Sequence, residues 1–323
     1  MTFPIHGDVV GSALPGPAMK TSTLIATTDG SRKRRIGWVQ VAPYLFALPF
    51  LLVFCAFVIA PFGYAGYLSL FKTAMVGGER FVGLSNYWNA FGDANFWNGL
   101  LNCLIFGLIM TPVMLTLALA AGLVLDSKVV RAGSFFKVGI FLPYAIPGVI
   151  GTLLWGFLYG REYGLISQTL GVLGITPPHL LGNQLIIASL ANISIWQYLG
   201  YNFVILYAAM AAVPDELTEA AVVDGASATQ IAWQIKIPMI RSAIIVVVLF
   251  AIIGTIQLFN EPFLLMPMAS DVITSDFTPN VYTFFLAFRT MQYNYAGAIS
   301  FVMGLITAVV SIAFLVISRR REE

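Results

Sequence analysis

Charge is what this sequence has least of. Its 323 residues include 17 Lys or Arg and 15 Asp or Glu, or 10%, while 59% are hydrophobic. A soluble domain carries about a quarter charged residues, so this chain lacks the polar side chains to cover a water-exposed surface. Histidine and cysteine are equally scarce: His6, His179, Cys55 and Cys103 cannot be assembled into a metal cluster. Both cysteines fall in apolar runs and are expected to be buried free thiols. No GxxxxGK[ST] loop is present, so nothing on this chain is expected to cradle a nucleotide phosphate. There are no paired carboxylates in the apolar runs and no serine–histidine arrangement, which speaks against a membrane enzyme. A net charge of +2 is too small to point to nucleic acid. No catalytic, cofactor-binding or metal-ligating residue is assigned.

What is present is long charge-free stretches. No charged residue occurs between Arg35 and Lys72, Asp93 and Asp126, Lys137 and Arg161, Glu162 and Asp215, or Arg289 and Arg319. A helix needs about 20 apolar residues to cross a bilayer, and these runs suit helices rather than alternating barrel strands. The expectation is an all-α membrane protein with six spans, near 39–62, 99–125, 138–159, 185–212, 241–266 and 294–318. Six spans put both termini on one side. That side then holds 13 of the 17 basic residues, leaving Lys72, Arg80, Arg161 and Arg289 opposite. Basic segments stay cytoplasmic, so both termini are expected inside. Residues 1–37 read as a flexible basic tail whose Arg32–Arg35 cluster abuts the first span, as a lipid-surface anchor would. Residues 38–320 form the membrane domain and 321–323 a short C-terminal tail. Between the first two spans, residues 81–98 are rich in aromatics (Tyr87, Trp88, Phe91, Phe96, Trp97), suited to the membrane interface.

The segment 214–238, PDELTEAAVVDGASATQIAWQIKIP, is the most informative. Pro214 ends the preceding helix. Asp215 suits an N-cap, with Glu216 and Glu219 in the first turn. Gly225 can take the left-handed conformation that stops a helix. Ser227 with Gln230 is a capping-box pattern, and Pro238 closes the second helix. Two short helices with a tight turn are expected, showing Leu217, Ala220, Ala221 and Val223 beside four acids. An ordinary connecting loop and a docking surface both fit these features.

Glu219-Ala220-Ala221, Gly225 after three more residues, and Ile235-Lys236-Ile237-Pro238 after nine more resemble the EAA signature of ABC importer permeases. The one departure is Ile237 where leucine is usual. FVGLSNYWNAF (81–91), FLPYAIPGVIGTLLWGFLY (141–159) and LFNEPFLL (258–265) are similar to segments of the carbohydrate branch, of MalF/UgpA type. The resemblance covers most of 36–320. It implies the type I (MetI-like) permease fold and a bacterial inner-membrane location. It also implies four kinds of partner: a second homologous permease, two ATPase subunits that bind the ATP and Mg, an external solute-binding protein, and a sugar. Glu219, Ala220, Ala221, Asp224, Gly225 and Pro238 would then form the ATPase-coupling element. The rival readings are a proton-coupled sugar carrier and an ABC permease for a non-sugar solute.

Glu261 is the one carboxylate inside an expected span, and ionisable residues there mark functional sites. Gln257, Asn260 and Glu261 have i, i+3, i+4 spacing, which would place them on one helix face beside Pro262. Sugar contact, a structural or gating role, and proton relay all remain open for Glu261. The fourth span offers Asn192, Trp196, Gln197, Tyr198, Tyr201 and Asn202. Trp196, Gln197 and Tyr201 precede Glu219 by 23, 22 and 18 residues, offsets that resemble the sugar-contacting face of maltose-type permeases. Helix–helix hydrogen bonding accounts for such residues equally well.

Overall fold

The computed structural model describes residues 38–74, 78–127 and 130–319. The terminal tails, and Lys128 among the 13 basic residues assigned to the side of the termini, lie outside the described residues. The chain divides into two units, 1–54 and 55–323. The described part of the first is helix α1, Trp38–Phe54, with residues 43–54 exposed.

The second unit begins with a π-helical turn, Cys55–Ile59, and α2, Ala60–Ser69. A hairpin of β1 (Phe71–Ala74) and β2 (Gly78–Phe81) pairs Phe71 with Phe81. Then come α3 (Ser85–Phe91), α4 (Ala94–Asp126), α5 (Gly133–Ala145), α6 (Gly148–Leu158), α7 (Leu165–Val172) and α8 (Ile186–Ala211). The segment that carries the EAA pattern forms α9 (Asp215–Val223), α10 (Ala228–Ile231), a π-helical turn (Ala232–Lys236) and α11 (Ile237–Met239). The chain closes with α12 (Arg241–Ile256), α13 (Asn260–Leu265), α14 (Pro279–Phe288) and α15 (Tyr293–Arg319).

By length and apolarity three helical stretches can cross a membrane: Pro43–Ser69, Ala94–Asp126 and Tyr293–Ser318. Two bent pairs, α5 with α6 and Ala228–Met239 with α12, raise the number to five. The expected fourth span, α8, has the length at 26 residues, but its amides lower its hydropathy. Cys103 is buried as expected, whereas Cys55 is exposed, because its π-helical turn buries no side chain.

The expected third span is not one straight helix. It bends by 94° between α5 and α6, where Ile146 is extended ahead of Pro147, as a residue before proline prefers. Two carbonyls lose their i+4 helical partners there, and only that of Pro143 finds another backbone amide, Ile146 N at 3.2 Å. Pro147 has no N–H to offer Pro143, and the Ile150 amide turns to Pro147 instead. The buried amide of Gln197 on α8 supplies both, donating from Nε2 to Pro143 O at 3.1 Å and Ile146 O at 2.8 Å. Gly200, one turn further along α8, makes the approach possible: a Cβ there would land on the Ile140 carbonyl oxygen and 2.7 Å from Phe141 Cα.

The expected fifth span is broken as well. Its helix ends at Ile256, and the chain restarts as α13 at Asn260. Leu258 O, freed at this break, accepts from Thr278 Oγ1 at 2.9 Å. Nearby, Phe277 O accepts from Asn102 Nδ2 on α4 at 2.9 Å. Helix α4 is the hub, packed along α8, α12 and α14. At its start Asp93 accepts from Asn95 N, Tyr282 Oη and Tyr295 Oη at 2.9, 2.9 and 2.7 Å. Burial, and next this bond to a carboxylate, push the Tyr282 phenol up to about 12. It therefore stays a donor across the physiological pH range.

Gln197→Leu removes both of its bonds and strands the Ile146 carbonyl in apolar surroundings, while Pro143 O keeps the Ile146 amide at 3.2 Å. The expected loss is about 1–3 kcal/mol, read as a lower melting temperature of the purified protein. An unchanged melting temperature would mean that the carbonyl finds another partner.

Candidate functional site

Two regions gather the residues singled out by sequence. The first is the loop. Pro214, rather than Asp215, occupies the N-cap position of α9, and Asp215 and Glu216 form its first turn. The difference is one residue, and it keeps both acids where the positive helix end favours them. The helix closes in a Schellman pattern. The Gly225 amide bonds Val222 O at 3.0 Å, and the Ala226 amide bonds Ala221 O at 2.9 Å. Gly225 has φ +82°, and no atom lies within 4 Å of where its Cβ would be, so the requirement for glycine is conformational, not steric. Ser227 and Gln230 make the full capping box. Pro238 sits inside α11 and the chain turns at Ile240, two residues later than expected, before entering α12 at 71°.

No side chain of α9 is buried. Glu219 and Ala220 are exposed and Ala221 half-exposed; Asp224, Gly225 and Pro238 are exposed. Beside them stand Leu217, Val222, Val223 at 86% exposure and Trp233 at 67%. The second half of the loop is different: Ile231 and Ile240 are buried, and Lys236 pairs with Asp126 at the end of α4.

The second region lies where α8 meets the broken segment. Gln257, Asn260 and Glu261 do not share a helix face, because the helix that would align them ends before Gln257. Gln257 and Asn260 are exposed, and Gln257 lines a cavity of about 610 Å³ with Asn280, Ser300, Thr307 and Ser311. Glu261 is 9% exposed and points the other way, to α8, where Ser194 Oγ donates to its Oε1 at 3.2 Å.

The polar patch on α8 also divides. Asn192 donates to Tyr159 Oη at 2.7 Å, Gln197 to the α5–α6 break, and Asn202 to Tyr198 O at 2.9 Å. These bonds join or brace helices. Trp196 is half-buried, its ring edge-on to Trp155 at 5.9 Å. Tyr201 stacks on Tyr144 at 5.2 Å. With Tyr198, Asn202, Phe106 and Phe250 it lines a cavity of about 320 Å³ between α4, α8 and α12. Sequence reasoning overlooked Ser194 and Tyr144. Ser194, Tyr198, Tyr201 and Asn202 recur at i, i+4, i+7 and i+8, a helix face that could have been read directly. Tyr144 reaches the face only through the fold.

Broken helices around a buried carboxylate and an aromatic cavity, with an exposed two-helix loop, are features that membrane-embedded transport proteins share. The family model described as "binding-protein-dependent transport system inner membrane component" matches residues 100–322, and the chain belongs to that family. It is 33% identical over 282 residues to a probable ABC transporter permease protein, YurN, of Bacillus subtilis, covering 84% of this chain and 94% of the relative. The lactose transport system permease LacF of Rhizobium radiobacter is 29% identical, with 92% and 100% covered. The arabinooligosaccharides permease AraP of B. subtilis is 29% identical, with 93% and 97% covered. The fold is shared with the crystal structure of a bacterial ABC transporter involved in the import of the acidic polysaccharide alginate. The TM-score is 0.75 at 20% identity, over 88% of this chain and 98% of that one. Like its relatives, the chain is a permease subunit and not itself an enzyme.

Glu261→Gln keeps an oxygen to accept from Ser194 and is expected to leave the melting temperature unchanged. Glu261→Leu strands the Ser194 hydroxyl, with an expected loss of about 1–3 kcal/mol. Equal melting temperatures for the two variants would show that this bond does not hold α13 to α8.

Proposed function

We propose that the chain is one permease half of an ATP-driven, binding-protein-dependent importer of an oligosaccharide or sugar derivative. The observation that carries this reading is α9. It combines the EAA spacing, a glycine stop at φ +82°, and a surface of Leu217, Val222 and Val223 beside four acids that stays exposed among the described residues. A cleft on an ATPase subunit would cover it, with Glu219, Ala220, Ala221, Asp224, Gly225 and Pro238 as the coupling element. ATP and Mg would be bound by two such ATPase subunits, and a second homologous permease would complete the translocation pathway. An external solute-binding protein would deliver the sugar; a structural neighbour is described in complex with an alginate pentasaccharide-bound periplasmic protein. The distribution of basic residues supports an orientation with the loop and both termini in the cytoplasm.

The relatives named for lactose and arabinooligosaccharides support a sugar cargo. The α8 face suits it chemically: Tyr201 and Trp196 offer flat rings to an apolar sugar face, and Glu261 offers a carboxylate to hydroxyls. Gln257 and Asn260 would meet the sugar from the other side of the helix break, along the hydroxyl-lined cavity of α15. Gln197 would act indirectly, by holding the α5–α6 bend against this face.

The test is purification of the chain from its native membrane in mild detergent, then uptake measured in vesicles. Recovery of an ATPase and a second permease, with ATP-dependent uptake of a disaccharide or oligosaccharide, is the expected result. Glu219→Ala and Gly225→Val are each expected to abolish uptake with membrane insertion intact, the latter through about 1–2 kcal/mol of left-handed backbone strain. A chain that purified alone and took up sugar on a proton gradient, insensitive to Gly225→Val but stopped by Glu261→Gln, would overturn the proposal.

A further inference from the structure

We infer that the Lys236–Asp126 ion pair is the strut through which a displacement of the docking loop is carried into α4; the inference rests on the coupling role proposed for that loop. The two halves of the loop are held differently. Helix α9 buries no side chain, and Gly225 joins it to a second half that is anchored. Ile231 and Ile240 are 7% and 3% exposed, and Ile240 packs in a cluster with Leu125 of α4 and Phe203, Leu206 and Met210 of α8. Apolar contacts of this kind resist separation but allow sliding, since they have no preferred direction. The directional link is the ion pair, which joins residues 110 positions apart in sequence.

Its placement argues for a specific use. Asp126 is the last residue of α4, where the negative end of the helix disfavours a carboxylate, so helix formation gives no reason for an acid at this position. Lys236 supplies one. It closes the π-helical turn, immediately before Ile237-Pro238 and the bend into α12. The two side chains are 13% and 14% exposed, so the pair is largely shielded from the water and salt that weaken surface pairs. Helix α4 in turn packs on α8, α12 and α14, so a push delivered at Asp126 reaches the α8 face and the broken α12–α13 segment together. Lys236 and Asp126 are positioning residues in this scheme; neither need touch sugar or nucleotide.

The test uses the full chain assembled with its ATPase and permease partners in lipid nanodiscs. It carries Cys55→Ser and spin labels at Val124→Cys on α4 and Thr229→Cys on α10, both exposed positions. The probe is ATP with vanadate, so no sugar need be known. In the parent complex the label-to-label distance is expected to stay constant when nucleotide is added. In Asp126→Asn and in Lys236→Met it is expected to shift on nucleotide addition by about 1–2 Å, the scale of helix displacements in such transitions, while ATP hydrolysis continues. The exchange Asp126→Lys with Lys236→Asp is expected to restore the constant distance. Four results would overturn the strut. They are a parent distance that changes with nucleotide, single variants that behave as the parent, a shift already present without nucleotide, or an exchange that fails to restore it. A complex that contains no ATPase is a separate failure, of the docking reading itself, and takes the strut with it.

Discussion

The structure depends on how backbone carbonyls are satisfied where helices break in apolar surroundings. Without water to donate to the exposed carbonyl, a broken helix is tolerated only if another part of the protein supplies the missing donor. Gln197 does so for Pro143 and Ile146, and Thr278 does so for Leu258. The first of these fixes more than the bend. It requires α8 to lie against α5 at backbone distance, which Gly200 permits. Once α8 is set there, Ser194, one turn before Tyr198, faces Glu261, and Tyr201 meets the ring of Tyr144. The aromatic cavity and the buried carboxylate are therefore consequences of where one amide had to go.

That dependence explains what sequence could and could not reveal. The loop was legible because its signals are local: Pro214, the Gly225 stop and the Ser227–Gln230 box each act within a few residues, and each operates as its chemistry implies. The apolar runs were legible because charge is excluded from them. The breaks were not. Proline at 143, 147 and 262 warns of a bend, but whether the chain bends depends on a donor from elsewhere, 54 residues away in the case of Gln197 and Pro143. Reading Gln257, Asn260 and Glu261 as one face assumed a continuous helix. The helix ends before Gln257, so the triad separates into two exposed amides and one buried acid. The α8 patch was ambiguous between bracing and binding because it contains residues with each geometry. Asn192, Gln197 and Asn202 bond to protein, while Tyr198 and Tyr201 keep their rings on a cavity.

The loop shows the opposite economy of contacts. Its first helix is shaped with care by a Schellman stop, two acids at the positive end and a capping box immediately after, yet it contributes nothing to the core. Val223 and Trp233 stand in the open. An exposed apolar side chain gains about 25 cal/mol for each Å² later removed from water, so the group of Leu217, Val222, Val223 and Trp233 is stabilised by being covered. Its acidic neighbours would discourage indiscriminate association. Such a surface favours one complementary partner over many.

If α9 docks on a partner as proposed, it would transmit nothing were the segment after Gly225 equally free. The second half of the loop gives it a fixed base. Buried Ile231 and Ile240 hold that half to the bundle, Lys236 ties it to the end of α4, and through the 71° turn at Ile240 a displacement of the loop would reach α12. Helix α12 leads to the break that precedes Glu261. The same chain segment that would meet a partner at one end therefore ends, two helices later, at the carboxylate that Ser194 holds. Because that carboxylate is held by one hydroxyl across a helix boundary and not within a continuous helix, a small displacement of α12 can reorient it without unfolding either helix. A broken span is mechanically useful for that reason, and it accounts for retaining a fragile discontinuity where a straight apolar helix would be more stable.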